Sequence, residues 1–436
     1  MPPERTSVLA YYEVNMLNQI DKLKLAQVIQ GLPYTMESPH FCVHYGLRNP
    51  RRGRGLGACG VGDVGLIRRY LNALERLYQT MASPPWSRAA PQTDASGKTH
   101  VYVYDLDHIV AGGDPFTSVN GEGIPYIALS CRSNEPLTDG AMRRAEAEAV
   151  HEATHVFNAA QRPFHRKADF YWWAWLDEAI ATFMESQVLP GNHDYFRFLS
   201  NWIDRPGLAL NDWQAAYHGC LFLDYLSEAV DHRFPNRIWI DATPNERPLQ
   251  TMDRLASVFG RVFADPLKQD LFANGYAMAA YFLRHPTGGC FGELYSRFGD
   301  RAVAESFELY PGFNGCAQES LPHLASHYYR FFVSRHVHRV RFTLRAVPRN
   351  GNLYFKAEAA VVQPDLSCGP RLPLNLNQDG NTSNGIELVG ELAGLYDLDF
   401  NHLVLVVSNC SYKDMDLPWN NPVPSCETYE IQIMAD

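Results

Sequence analysis

The chain has 436 residues, too many for one ordinary core, so two or three domains are expected. Its 46% hydrophobic and 20% charged content is that of a globular protein, and a net charge of −10 disfavours a general nucleic-acid partner. No run of 18 apolar residues occurs, which argues against membrane insertion by a helix. The start, Met1-Pro2-Pro3-Glu4-Arg5, lacks the basic and apolar regions of a signal peptide. It reads as cytoplasmic if native and as a secreted mature form if the methionine is introduced.

In chain order, residues 8–30 carry helical spacing, Phe41–Tyr45 alternates as a strand, and residues 46–62 form an arginine- and glycine-rich loop. Within that loop Gly55, Gly57 and Gly60 imitate a dinucleotide fingerprint, but no strand stands immediately before them and no clean βαβ unit follows. Arg48, Arg51, Arg52 and Arg54 read as a solvated basic face. An amphipathic helix is expected over 63–81, then strands at His100–Tyr104 and Pro125–Leu129. Residues 166–337 read as mainly helical, with helical spacing at 171–188, 211–230, 265–284, 288–298, 300–309 and 320–335. From His338 short alternating strands follow, as in Val340–Leu344, Leu353–Ala357 and Leu403–Val407, and predict a small β-sandwich. Asn375 to Gly380 imitates a calcium loop, but Glu387 comes one position late and the flanks are strands. Nine cysteines, with no C-x-x-C pair, leave open a disulfide among Cys368, Cys410 and Cys426.

The chemistry concentrates at His151-Glu152-Ala153-Thr154-His155. On a helix, positions i and i+4 share a face, so both imidazoles reach one metal ion, while Glu152 is rotated to sit beside it as a base. A catalytic zinc needs a third protein ligand and an open position. Position 161, where one arrangement places a third histidine, holds Gln161. The other arrangement takes a glutamate from the next helix, and Glu178 lies 23 residues beyond His155, past the breaker Pro163. Asp177, Glu148 and Glu185 are available to orient the metal-bound imidazoles, with Glu185 the first choice because it lies two turns beyond Glu178.

The pair H-E-A-T-H and W-L-D-E-A-I-A (Trp175 to Ala181) resembles the gluzincin branch of zinc metallopeptidases, and Glu178 to Glu185 resembles poorly characterised bacterial members of it. The resemblance implies an α+β fold: a zincin-like part over 1–165, a helical subdomain over 166–337 carrying the glutamate ligand, and the sandwich over 338–436. It implies Zn2+ on His151, His155 and Glu178, Glu152 as general base, and a peptide or protein substrate. A second electrophile is expected beside the metal. Tyr217 stands first for it, because Ala216 to Leu226 resembles the tyrosine-plus-glycine helix start of several gluzincin groups; Tyr276 and His218 come next. The strand before the metal helix, Gly121 to Ile127, is expected to form the cleft edge on which extended substrate adds as a strand. It lacks the Gly-x-Met-Glu-Asn run of aminopeptidases in this branch, which favours an endopeptidase. An aminopeptidase and a catalytically inactive zincin frame acting as a scaffold are the alternatives.

Overall fold

The structure is a computed structural model. It describes residues 32–47, 60–106, 114–120, 123–132, 137–161, 167–192, 194, 207–212, 214, 216–217, 219–258, 303–346, 355–364, 368–376, 386–395, 398–400, 402–410 and 426–436. The helix expected at 8–30, the arginines at 48–54, the stretches 265–284 and 288–298, His218 and Tyr276 lie outside these. So does most of the calcium-like loop. The protein is mixed α+β and forms two compact units, Met1–Phe196 with Pro235–Asp241 and Arg197–Phe234 with Ala242–Asp436.

The first unit is built on five strands: β1 (Tyr34–Glu37), β2 (Phe41–Tyr45), β3 (Thr99–Tyr104), β4 (Phe116–Val119) and β5 (Pro125–Ser130). Their order in the sheet is β1-β2-β3-β5-β4. The pairs β2·β3 and β3·β5 are parallel, while β1·β2 and β4·β5 are antiparallel. Side chains alternate across the pleat. Val43, Val101 and Ile127 share one register row and are fully buried. Their face lies under helices α1 (Val64–Ala82) and α2 (Asp139–Gln161); α4 (Ala174–Val188) packs on both of these helices, and the one-turn α3 (Lys167–Phe170) lies between α2 and α4 in the chain.

Local chemistry sets these helices. Asp63 caps α1 by accepting from the Gly65 amide at 2.7 Å, a contribution of about 1 kcal/mol. The buried stripe of α1 runs through Leu66, Tyr70, Leu74, Leu77 and Met81, the amphipathic face expected from the sequence. Thr138 receives the Ala141 amide at the start of α2. Alanines at 141, 145, 147, 149, 153 and 159 give α2 high helix propensity and let its neighbours approach closely. From Ala149 to Ala159 every residue of α2 is buried, so this is a central helix rather than a surface one.

The second unit holds α5 (Gly219–Ala229), α7 (Pro248–Val258) and two five-stranded sheets; α6 (Phe234–Ile240) falls almost wholly in the first unit. One sheet has the order β11-β10-β14-β8-β6 and the other β12-β13-β9-β15-β7. Their strands are β6 (Val303–Leu309), β7 (Phe313–Pro322), β8 (Ala325–Val333), β9 (Arg339–Ala346), β10 (Phe355–Val362), β11 (Cys368–Pro373), β12 (Asn375–Leu376), β13 (Ile386–Ala393), β14 (His402–Asn409) and β15 (Cys426–Ala435). All pairings are antiparallel except β6·β8. Residues of both sheets, among them Tyr329, Phe342, Leu405 and Ile431, form one apolar cluster.

Three expectations need correction here. The segments 300–309 and 320–335 are not helices, because β6 and β8 run through them. Among the described residues of the second unit, strands are therefore present from Val303, ahead of the expected His338. The run Tyr328-Tyr329-Arg330-Phe331-Phe332 is dense in bulky rings, and dense apolar runs satisfy a 3.6 and a 2.0 period equally; aromatic content favours the strand. Third, β5 is not the sheet edge: it is paired on both sides, and the edge is the four-residue β4.

Candidate metal centre

His151 and His155 project from one face of α2, with ring centroids 4.9 Å apart and ring planes nearly perpendicular. Glu178, in the second turn of α4, meets them: its Oε2 lies 3.0 Å from Nε2 of His151 and 3.6 Å from Nε2 of His155. Ligand atoms each about 2.0–2.1 Å from a tetrahedral zinc stand roughly 3.3 Å apart, and these two separations bracket that value. One donor atom from each of the three residues falls within a common span of 4.8 Å. The donor set therefore fits a zinc ion. Glu178 is the half-open member, whereas both histidines are buried.

Each imidazole is oriented from behind by a buried carboxylate. Nδ1 of His151 donates to Oε1 of Glu185 at 2.9 Å, and Nδ1 of His155 donates to Oδ2 of Asp177 at 2.8 Å. These bonds place the ring N–H at Nδ1 and leave each Nε2 turned toward Glu178. Of the three carboxylates singled out from the sequence, Glu185 and Asp177 both serve, one per histidine. Glu148 instead pairs with Arg132. The Asp177 link continues: Nδ2 of Asn158 donates to its Oδ1 at 2.6 Å, and Arg88 donates to Asn158 and, at 2.9 Å, to Oδ1 of Asn236 on α6. Trp239, also on α6, donates its indole N–H to the Asn158 carbonyl and meets Trp173 edge-on.

Burial would push both imidazole pKa values down. Glu178 and Glu185 outweigh it at His151, which rises to about 9; Asp177 and Glu178 outweigh it at His155, which is also raised. Burial would likewise push Glu178 up, but His155 and His151 hold it well below the usual carboxylate range. The pocket is thus rich in negative charge at the point where the two Nε2 atoms converge, as a divalent cation requires.

Glu152 sits on the flank of this cluster, with its pKa raised by burial. Its partner comes from the sheet edge: the hydroxyl of Thr117 on β4 lies 2.9 Å from Oε2 of Glu152 and 2.8 Å from the Glu152 carbonyl. Thr117 was not singled out by sequence reasoning. The only signal is its place in the short Phe116–Val119 strand, and nothing in that tetrapeptide points to α2. Tyr217 lies in the turn before α5, half-buried, in the second unit.

A family of unknown function, DUF6055, matches residues 137–269, a span that includes His151, Glu152, His155, Glu178 and Tyr217. No curated protein matches the chain. Among solved structures, PliG of Aeromonas hydrophila, a periplasmic lysozyme inhibitor of g-type lysozyme, aligns with 30% of this chain and 100% of its own. Its identity is 9% and its TM-score 0.18, too low to carry an argument.

Proposed function

We propose that the protein is a zinc-dependent peptidase, an endopeptidase, whose first unit is a zincin-like catalytic domain and whose second carries a β-sandwich. The observation that carries this reading is the convergence of His151, His155 and Glu178 with Glu152 beside them. Zinc held there supplies a Lewis acid for the scissile carbonyl and lowers the pKa of a water molecule toward neutrality.

This chain's own residues do the rest. Glu152 accepts the proton of the attacking water and returns it to the leaving amine. Its buried setting suits that exchange, because a carboxyl with a raised pKa holds a proton more readily than an exposed one. Thr117 fixes the carboxylate rotamer through Oε2. Asp177 and Glu185 keep both imidazoles in the ligating tautomer. An extended substrate adds antiparallel to the outer side of β4, which brings its backbone past Thr117 and Glu152.

The test is zinc content together with cleavage of amino-terminally blocked, internally quenched peptides. Glu152→Gln is expected to retain zinc and lose cleavage; a fully active Glu152→Gln enzyme would overturn the mechanism. Cleavage confined to substrates with a free amino terminus would assign an aminopeptidase instead.

A further inference from the structure

The face of the first-unit sheet opposite the helices carries a second cluster of ligand-type side chains. The register places Glu37, Cys42 and His100 in one row across β1, β2 and β3, with His44 two residues along β2 on the same side of the pleat. Nε2 of His44 lies 3.6 Å from Sγ of Cys42 and 2.7 Å from Nδ1 of His100. One donor atom from each of Cys42, His44 and His100 falls within 4.8 Å of the others. We propose that Cys42, His44 and His100 form a second metal site, one that takes a borderline-soft divalent ion, zinc foremost, with a thiolate and two imidazoles as ligands.

Three features support it. First, the geometry suits the donor types. A sulfur about 2.3 Å and a nitrogen about 2.0–2.1 Å from a tetrahedral zinc stand roughly 3.6 Å apart, which is the Cys42–His44 spacing. The two histidines need to separate by only about 0.6 Å to reach the nitrogen–nitrogen spacing of such a site. Second, His100 is backed in the manner of a ligand. Its Nε2 donates to Oδ2 of Asp94 at 2.8 Å, which leaves the lone pair on Nδ1 facing the cluster. This repeats, on the other face of the sheet, the pairing of His155 with Asp177. Third, the site is semi-open. Cys42 is buried while His44 and His100 are partly exposed, and Tyr102 stacks on His44 with centroids 4.8 Å apart, which steadies that ring. Glu37 stands beside the cluster: its Oε1 faces Sγ at 3.9 Å, and its Oε2 pairs with Lys98. A sulfur with two imidazoles selects zinc, cobalt or copper over magnesium or calcium. Binding expels the thiol proton of Cys42 to solvent, since the thiolate is the ligand.

The first metal centre has no sulfur ligand, so cobalt(II) distinguishes the two sites. The full chain, stripped with chelator and titrated with cobalt(II), is expected to develop a thiolate-to-cobalt charge-transfer band. That band should survive Glu178→Gln and vanish in Cys42→Ser and in His100→Gln. Zinc content should fall by one equivalent per chain in Cys42→Ser while the His151/His155/Glu178 ion stays, which also shows that the variant is folded. Absence of the band in the wild-type chain, or its persistence in either Cys42→Ser or His100→Gln, would overturn the site. Loss of zinc at Glu178 alone, with the band intact, would bear only on the first centre.

Discussion

Asp177 joins two residues of the neighbouring helix at once: it accepts from Nδ1 of His155 at 2.8 Å and from Asn158 at 2.6 Å. The carboxylate cannot rotate without losing one of these bonds, so the His155 ring is held before any ion arrives. Asp177→Asn keeps the shape but removes the charge and can offer an N–H to the imidazole. Zinc affinity is expected to fall about 10–100-fold, read by competition with a chromogenic chelator. Glu185→Gln should produce a loss of the same order through His151.

Glu178 joins α4 to α2 at the candidate metal centre, with its Oε2 3.0 Å from Nε2 of His151. Glu178→Gln removes the anionic donor and should lower zinc content by one equivalent per chain, while Glu152→Gln should leave zinc in place and lower kcat by at least about 10²-fold. Metal analysis of the two purified variants side by side separates ligand from base.

Thr117 is a positioning residue for Glu152. Thr117→Val retains the β-branched shape that suits β4 but removes the hydroxyl. The expected result is a several-fold fall in kcat with unchanged KM and unchanged zinc content. Thr117→Ser, which restores the hydroxyl, should recover most of the rate. A loss that serine does not rescue would point to packing instead.

Away from the metal centre, Glu246 gives a pH prediction. Burial would raise its carboxyl, but Arg254 at 2.6 Å and the Thr243 amide outweigh it and bring the pKa to about 2 from an ordinary 4.5. The folded value is depressed, so the stabilisation is fully present above about 4.5 and is lost as pH falls toward about 2. Glu246→Gln should therefore be less stable than wild type near neutrality. The gap between their denaturation midpoints should narrow steadily below pH 4.5.

In the sheets of the second unit, Leu405 is fully buried at the centre of β14, between β10 and β8. Leu405→Ala should destabilise the protein by about 2–5 kcal/mol in chemical denaturation, through lost burial and the cavity left behind.

What the sequence revealed follows from distance along the chain. His151, Glu152 and His155 are legible because one helical turn brings them together, and Glu185 follows from Glu178 by the same periodicity. Thr117 is not legible, since its contact with Glu152 depends on where a four-residue strand lands at the sheet edge. The Cys42–His100 pairing is equally hidden, because a parallel crossover rather than any local spacing sets it. Helix α1 and strands β2, β3 and β5 emerged from hydrophobic patterning, but β1 and β4 are too short to show a period. The aromatic run of β8 fits two periods, so periodicity alone does not resolve it, although its aromatic content favours the strand.

The parallel pairing of β2 with β3 puts Val43 beside Val101 on one side and Cys42 beside His100 on the other. A single inserted residue ahead of His100 would turn the strand inside out, driving an imidazole into the hydrocarbon beneath the helices and leaving a valine among the polar groups. An insertion of two would restore the faces yet pair the wrong neighbours. Mutational tolerance along β3 should therefore depend on whether an indel is odd or even, a parity rule that an isolated strand would not obey.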